Sequence, residues 1–441
     1  MKTNRIAALF VMALCLSCVV RSGMAVQAAP ESTPAKAQRI LSVEDAVRVA
    51  LEGNPAIAAA VRRVSLAESR TTTARALDDP MLMVRDWSTP LSKPWDLNQA
   101  QLMVSVQQTL VSRQKRDLRA KVAGDEVEMA TSDLESLRQE VAARVRKACA
   151  DLKRNGEEMR LHDRQISLMK EAVAASLAQY TSGRVSQAEV LRAQMAVTRL
   201  DEHLIELEQE RDTALAELDT LMGRPADEAV EISGGYAETV VTPRLEEMER
   251  LAMEHRPELA GLRKGIDKAQ DLAHSTRLAM KPDFTVALGY MLMPAGSPAR
   301  NAYMAEVTMN LPGLNRGLHD SEAQVSDSAT AVAQAEFEAR TSTVFFEVRQ
   351  AQIAVAAAEK RARIYRGTLL PQAEAAFKAA TAAYQNNRGE FSTLIDSQNL
   401  LLDIQTALYK ASADRDAAVA DLERAMGTAL PEATVKERKI Q

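Results

Sequence analysis

The chain is 441 residues long, with 55 basic and 60 acidic side chains, a formal net charge of -5 and only 4% aromatic residues. This acidic balance argues against nucleic acid as a partner. Beyond residue 28, charged side chains interrupt every apolar stretch well before the roughly 20 residues that a membrane helix needs, so entry into a bilayer would fall to strands.

Residues 1–28 read as an export signal. Lys2 and Arg5 form a basic start, Ile6 to Val20 an apolar core, and Val26, Gln27 and Ala28 a small-residue cleavage pattern. Cys18, preceded by Ser17, leaves lipidation open. Cleavage after Ala28 leaves Cys149 as the single cysteine, which excludes a disulfide within the chain, and brings the formal charge to about -8.

After an N-terminal segment at 29–41, a first unit is expected over 42–223. It begins with a short helix from Ser42 to Leu77, then a weak strand from Met81 to Trp87 and a second one in which Leu102, Val104 and Val106 alternate with Met103, Ser105 and Gln107. A helix of unusual length follows from Lys115 to Tyr180, since no proline occurs between Pro94 and Pro225. Its apolar positions recur every seven residues at Val127, Leu134, Val141 and Ala148, then shift by four to Leu152, Met159, Ile166, Val173 and Tyr180, a coiled-coil seam with one stutter. The chain reverses between Thr181 and Ser186 and returns as a helix to Leu221. Gly183 adopts positive φ without steric cost, and Ser186 with Glu189 matches an S-x-x-E capping box.

A linker at 224–244 precedes a second unit at 245–427, with the tail at 428–441 expected to meet the linker in a girdle around the middle. The second unit repeats the first: a short helix from Leu245 to Ala279, strands around Phe284 to Leu292 and Tyr303 to Met309, a long helix from Leu318 to Tyr384, a turn at Asn387 and a return from Arg388 to Met426. Pro55 falls on Pro257 and Pro80 on Pro282, while Tyr180 falls on Tyr384, Gln194 on Gln398 and Gly223 on Gly427. One structural unit was therefore used twice in tandem.

Helix lengths and strand counts constrain the assembly. A helix of this length reaches about 100 Å, and two half-length helices stacked end to end would match it, giving each unit a two-stranded helical wall. The ten-residue alternations have one apolar face. Periodicity leaves a soluble hairpin open beside a membrane strand, and export together with Trp87, Tyr290 and Tyr303 near strand ends favours the membrane. Four strands cannot sit in lipid with open edges, so copies must combine into a barrel of eight or twelve strands.

The duplication, Asn54-Pro55, the step Leu77 to Leu82, the stretch Leu369 to Glu374 and the turns after Tyr180 and Tyr384 resemble the TolC-type outer-membrane efflux proteins. The resemblance covers essentially the whole mature chain. It implies a mainly α fold with a membrane β-barrel portion: tandem helical hairpins forming an α-helical barrel, and four strands per chain giving a twelve-stranded barrel in a homotrimer. It also implies residence in outer-membrane lipid with extension into the periplasm, a periplasmic membrane-fusion adaptor and an inner-membrane RND-type pump as partners, and passive conduction of exported substrates. Asp79 to Leu82, Gln107 to Leu110 and Lys115-Arg116 are most similar to the heavy-metal branch of the CusC and CzcC kind, although Val111 to Gln114 replace the proline and glycine often found there.

The resemblance also places a gate at the hairpin tips. Glu189 and Asp396 are its expected acids, Tyr384 a hydrogen-bond partner for Glu189, Arg184, Arg192 and Arg388 the basic partners, and Gly183 and Asn387 the turns. Thr393 and Gly389 depart from the family, standing where an acid and an arginine often occur. Of 19 methionines, seven lie in the strand regions and read either as soft metal ligands or as apolar filler. The five histidines show no close ligand spacing, and no Ser-His-Asp, Walker or dinucleotide motif occurs, so neither catalysis nor a cofactor is expected. A periplasmic adaptor or a structural coiled-coil protein of the envelope is the alternative class; the former would carry one hairpin rather than two copies, the latter no alternating strands.

Overall fold

The computed structural model describes residues 39–87, 91, 95, 96, 98, 101–225, 230–233, 243–386 and 388–430. The export signal, Cys18, Asn387, much of the linker and the end of the tail lie outside the described residues.

In chain order, strand β1 (Arg39–Ser42) leads into helices α1 (Val43–Gly53) and α2 (Pro55–Arg75), and strands β2 (Met81–Asp86) and β3 (Leu102–Leu110) precede the 69-residue helix α3 (Arg113–Thr181) and its return α4 (Gln187–Met222). Strand β4 (Val230–Ser233) then precedes the second set: α5 (Leu245–His255), α6 (Pro257–Leu278), β5 (Phe284–Leu292), β6 (Asn301–Met309), α7 (Arg316–Ile364), α8 (Leu370–Gln385) and α9 (Phe391–Met426). Among the described residues no helix is long and apolar enough to cross a membrane.

The short helices expected to run unbroken are each split in two. Pro55 has no N–H to donate and disfavours helical backbone at the residue before it, so Asn54 is extended, with φ -66° and ψ 123°, and α2 restarts beyond it. Arg256 before Pro257 does the same in the second copy, with φ -76° and ψ 116°. Each break receives the end of a returning helix. Gly223 and Gly427 terminate α4 and α9 with φ of 67° and 73°, and a Cβ there would lie 2.2 Å from the Gly53 carbonyl oxygen and 2.7 Å from that of His255, respectively. The returning helix and the second short helix thus stack end to end along the long one.

The second long helix is also interrupted. Between α7 and α8 the chain makes a π turn, Tyr365–Leu369, in which Leu370 N–H reaches back to Tyr365 C=O. Pro371 has no N–H to give, and the wider turn lets helix continue past it.

The core is doubled in the same way. Ala46, Ala50, Ile57, Val141, Val145, Leu218 and Met222 form one cluster, and Met248, Ala252, Leu259, Val344, Val348, Leu422 and Met426 form the other at matching places. The α3 seam is buried at Leu134, Val141, Ala148, Leu152 and Ile166, whereas Tyr180, close to the tip, is exposed. A further stripe of α3 faces the second copy. There Ser136 Oγ donates to Glu258 and Gln139 Nε2 donates to the Gly427 carbonyl. Cys149 sits in the first core, where burial and then the charge of Glu44 push its thiol up to about 12. It is chemically quiet.

β1 and β4 pair in parallel, Leu41 opposite Ile232, so the described part of the linker meets the N-terminal segment, while residues 431–441 of the tail lie outside the described residues. The other four strands form one antiparallel sheet in the order β2-β3-β5-β6. Both hairpins thus pair with each other through β3 and β5 and leave β2 and β6 as edges.

Candidate functional site

The register of the sheet sorts every side chain onto one of two faces. Leu82, Val84, Val104, Val106, Phe284, Leu288, Tyr290, Tyr303 and Val307 share one face and are exposed, Tyr303 by 92%. A contiguous apolar surface of this kind is unstable in water and stable in lipid. Towards the end distant from the helices, Tyr290 packs edge-on against Tyr303 with centroids 6.1 Å apart and donates to Asn301 Oδ1, and Arg85 lies over Trp87. Amphipathic rings at that level suit the boundary between lipid and water.

The opposite face carries Ser105, Gln107, Thr109, Thr285, Glu306 and Thr308, as a water-filled lumen requires. It also carries Met81, Met83, Met103, Met291 and Met304, with Met103 directly opposite Met291. No Leu, Val, Ile or Phe stands on this face within the paired strands. Of the strand methionines only Met309 is on the lipid side.

At the other end of the molecule the hairpin tips bring several of the expected gate residues together. Gly183 turns with φ 73°, and Arg184 N–H closes onto the Gln179 carbonyl. The expected capping box does not form: Ser186 makes no side-chain cap, and Glu189 N–H bonds the Ser186 backbone carbonyl. Tyr384 donates its hydroxyl to Gln179 Oε1 at 3.2 Å rather than to Glu189, because the last turn of α3 lies beside it, and its ring packs on Phe391 with centroids 5.5 Å apart. Glu189 acts on it through charge: burial first, then Glu189, raises the Tyr384 pKa.

Arg184 and Arg388 are exposed beside the two turns. Asp396 and Arg192 line one groove between α4 and α9 without forming an ion pair among the described residues. Gly389 has a spatial reason to depart from arginine, since a Cβ there would lie 3.0 Å from the Ala383 methyl.

The same groove, of about 1020 Å³ and floored by α3, brings together two histidines that sequence spacing separated. The rings of His162 and His203 stand 4.7 Å apart. Their signal was the hairpin itself: the two residues are nearly equidistant from Gly183, and an antiparallel helix pair juxtaposes such positions.

The model of the family described as outer membrane efflux protein matches residues 46–224 and 250–428. The cobalt-zinc-cadmium resistance protein CzcC of Cupriavidus metallidurans is 22% identical over 396 residues, which cover 89% of this chain and 92% of that protein. Among solved structures, CusC superposes with a TM-score of 0.76 at 13% identity, covering 88% of this chain and 92% of that one. The outer membrane protein VceC of Vibrio cholerae superposes at 0.73 and 17% identity, covering 88% and 97%. The two matched segments coincide with the two structural copies, and the chain belongs to the outer membrane efflux protein family.

Proposed function

We propose that this chain is the exit duct for soft and borderline heavy-metal cations. As a family member it is an outer-membrane efflux channel that extends into the periplasm, assembles as a homotrimer and works with an adaptor and an inner-membrane RND pump. In the trimer, the edge strands β2 and β6 pair with neighbouring copies, so the four-stranded sheet becomes one third of a closed barrel. Conduction is passive, and no bond is made or broken by this chain.

The observation that carries the cargo reading is the methionine-bearing lumenal face. Filler would include leucine and valine as well, whereas methionine is the only large apolar residue there. Thioethers are soft ligands suited to ions such as Cu(I). The resemblance to CzcC, whose name couples it to cobalt, zinc and cadmium, points to the same class of cargo. The test is silver and cadmium resistance in cells that carry the matching pump and adaptor. Replacing Met291 and Met304, the half-buried methionines of β5 and β6 on this face, together by leucine should lower resistance while leaving channel conductance intact; unchanged resistance removes the cargo reading and leaves the channel.

The gate belongs to the same proposal, with Glu189, Tyr384, Asp396, Arg184, Arg192 and Arg388 as its members, Gly183 and Asn387 as its turns, and units 42–223 and 245–427 as the two staves that bear it. The hydrogen bond from Tyr384 to Gln179 ties the second tip to the first. Tyr384→Phe combined with Glu189→Gln should raise single-channel conductance in planar bilayers, and an unchanged conductance would remove these residues from the gate.

A further inference from the structure

We propose that His162 and His203 form an exchangeable binding site for a divalent transition-metal ion in the wall of the helical hairpin. It stands on geometry independent of the barrel methionines. The two rings are 4.7 Å apart and tilted by 49°. His162 Nδ1 lies 2.9 Å from the Glu158 carbonyl oxygen. A carbonyl only accepts, so Nδ1 carries the proton and Nε2 keeps its lone pair. His203 Nδ1 lies 2.8 Å from Glu206 Oε2, which assigns its proton in the same way. Both imidazoles therefore have one nitrogen anchored to an oxygen acceptor and the other presented as a ligand, the outer-shell arrangement that orients metal-binding histidines.

A second observation lies one turn along the same face of α3. Glu158 is 2% exposed, and Arg154 Nη1 holds its Oε2 at 3.0 Å, yet Oε1 is buried without a hydrogen-bond partner. An unpaired buried carboxylate oxygen is costly unless something donates to it. A water bound to the metal would. Among the described residues no group of three His, Cys, Asp or Glu is placed to hold a metal, so the site offers two protein nitrogens and leaves the remaining positions to water. Structural zinc sites close all four positions with protein ligands, and a site with two suits an ion that arrives and leaves. Imidazole favours zinc, nickel, copper and related ions.

The groove gives hydrated ions access, since both histidines line it, and His203 is the more exposed partner.

The experiment uses the purified full-length trimer in detergent, with Co²⁺ followed by its visible absorption and Zn²⁺ by calorimetry. One ion per chain should bind. His203→Ala should weaken binding at least about tenfold, and Glu206→Ala by about tenfold through loss of the outer-shell acceptor. His203 is half-buried and Glu206 exposed, so these variants keep the trimer intact even where His162→Ala fails to fold. Binding with unchanged affinity and stoichiometry in His203→Ala would overturn the site. Its fate is separable from the cargo reading: loss of binding in His203→Ala with unaffected resistance in the methionine variant supports this site and removes the other.

Discussion

The joint between short and returning helices is built twice with the same backbone and different chemistry. In the first copy Asn54 is neutral and 6% exposed; its Oδ1 accepts from Ala56 N and Ile57 N at 2.8 and 3.3 Å while its Nδ2 donates to the Leu221 carbonyl at 2.8 Å. One side chain caps the new helix and clasps the end of the returning one. In the second copy Arg256 occupies that place at 3% exposure and bonds Glu347 at 2.6 Å and Glu258 at 3.4 Å. Arg340 bridges the same two carboxylates, and Arg424 adds a longer contact to Glu347. The duplication preserved a break in the helix, and the side chain at the break caps the new helix in the first copy while it enters an ion network in the second. A neutral clasp is local, whereas the ion network ties α6, α7 and α9 together.

The largest test of this difference is Arg256→Ala. Removing one member of a buried ionic network leaves carboxylates undercompensated, and it should lower the opening free energy of α5 and α6 by about 3 kcal/mol, read as faster amide exchange. Asn54→Ala loses a cap and leaves the Leu221 carbonyl unpaired, and it should cost about 1–2 kcal/mol, confined to α1, α2 and the end of α4. Equal costs at the two joints would mean that the surrounding core, and not the polar chemistry, holds them. Arg256→Asn sharpens the comparison further. Arg256 makes no side-chain cap, so asparagine would add a cap though not the network, and this should offset about 1 kcal/mol of the Arg256→Ala loss.

Much of this architecture was legible in the sequence because it rests on repetition and periodicity. The offset between Pro55 and Pro257 gave the duplication though not the helix breaks before those prolines, the alternation from Phe284 to Leu292 gave a strand, and the absence of proline up to Pro225 gave the long α3. What escaped depends on contacts between distant segments. Heptad spacing found one buried seam of α3 and missed the stripe bearing Ser136 and Gln139, because a single helix repeat does not announce a second partner. Spacing also placed Ser186 and Glu189 in a capping box, yet the turn after Gly183 presents the Ser186 backbone carbonyl to the Glu189 N–H instead. The tip pairing of Tyr384 with Gln179 and the approach of His203 to His162 follow from how the hairpins lie side by side, which only coordinates supply.

The smallest expected effect is also the most selective, because only the second joint titrates. Burial is the largest single influence on Glu258 and pushes its pKa up, but the Arg340 hydrogen bond, the charges of Arg256 and Arg340 and the Ser136 hydrogen bond together outweigh it and leave the pKa lowered from its ordinary 4.5. A carboxylate whose folded pKa is depressed contributes stability that is present above the ordinary value and fades as pH falls through the folded one. Asn54 has no such dependence. Amide exchange compared within one sample between α6 and α2, so that the intrinsic pH dependence of exchange cancels, should therefore show α6 losing protection relative to α2 as pH drops below about 4.5. Glu258→Gln should flatten that ratio by removing the titrating group. A ratio that stays constant with pH in the unmodified chain would mean that the carboxylate keeps its ordinary pKa, and that the network of the second joint is no better at holding charge than solvent.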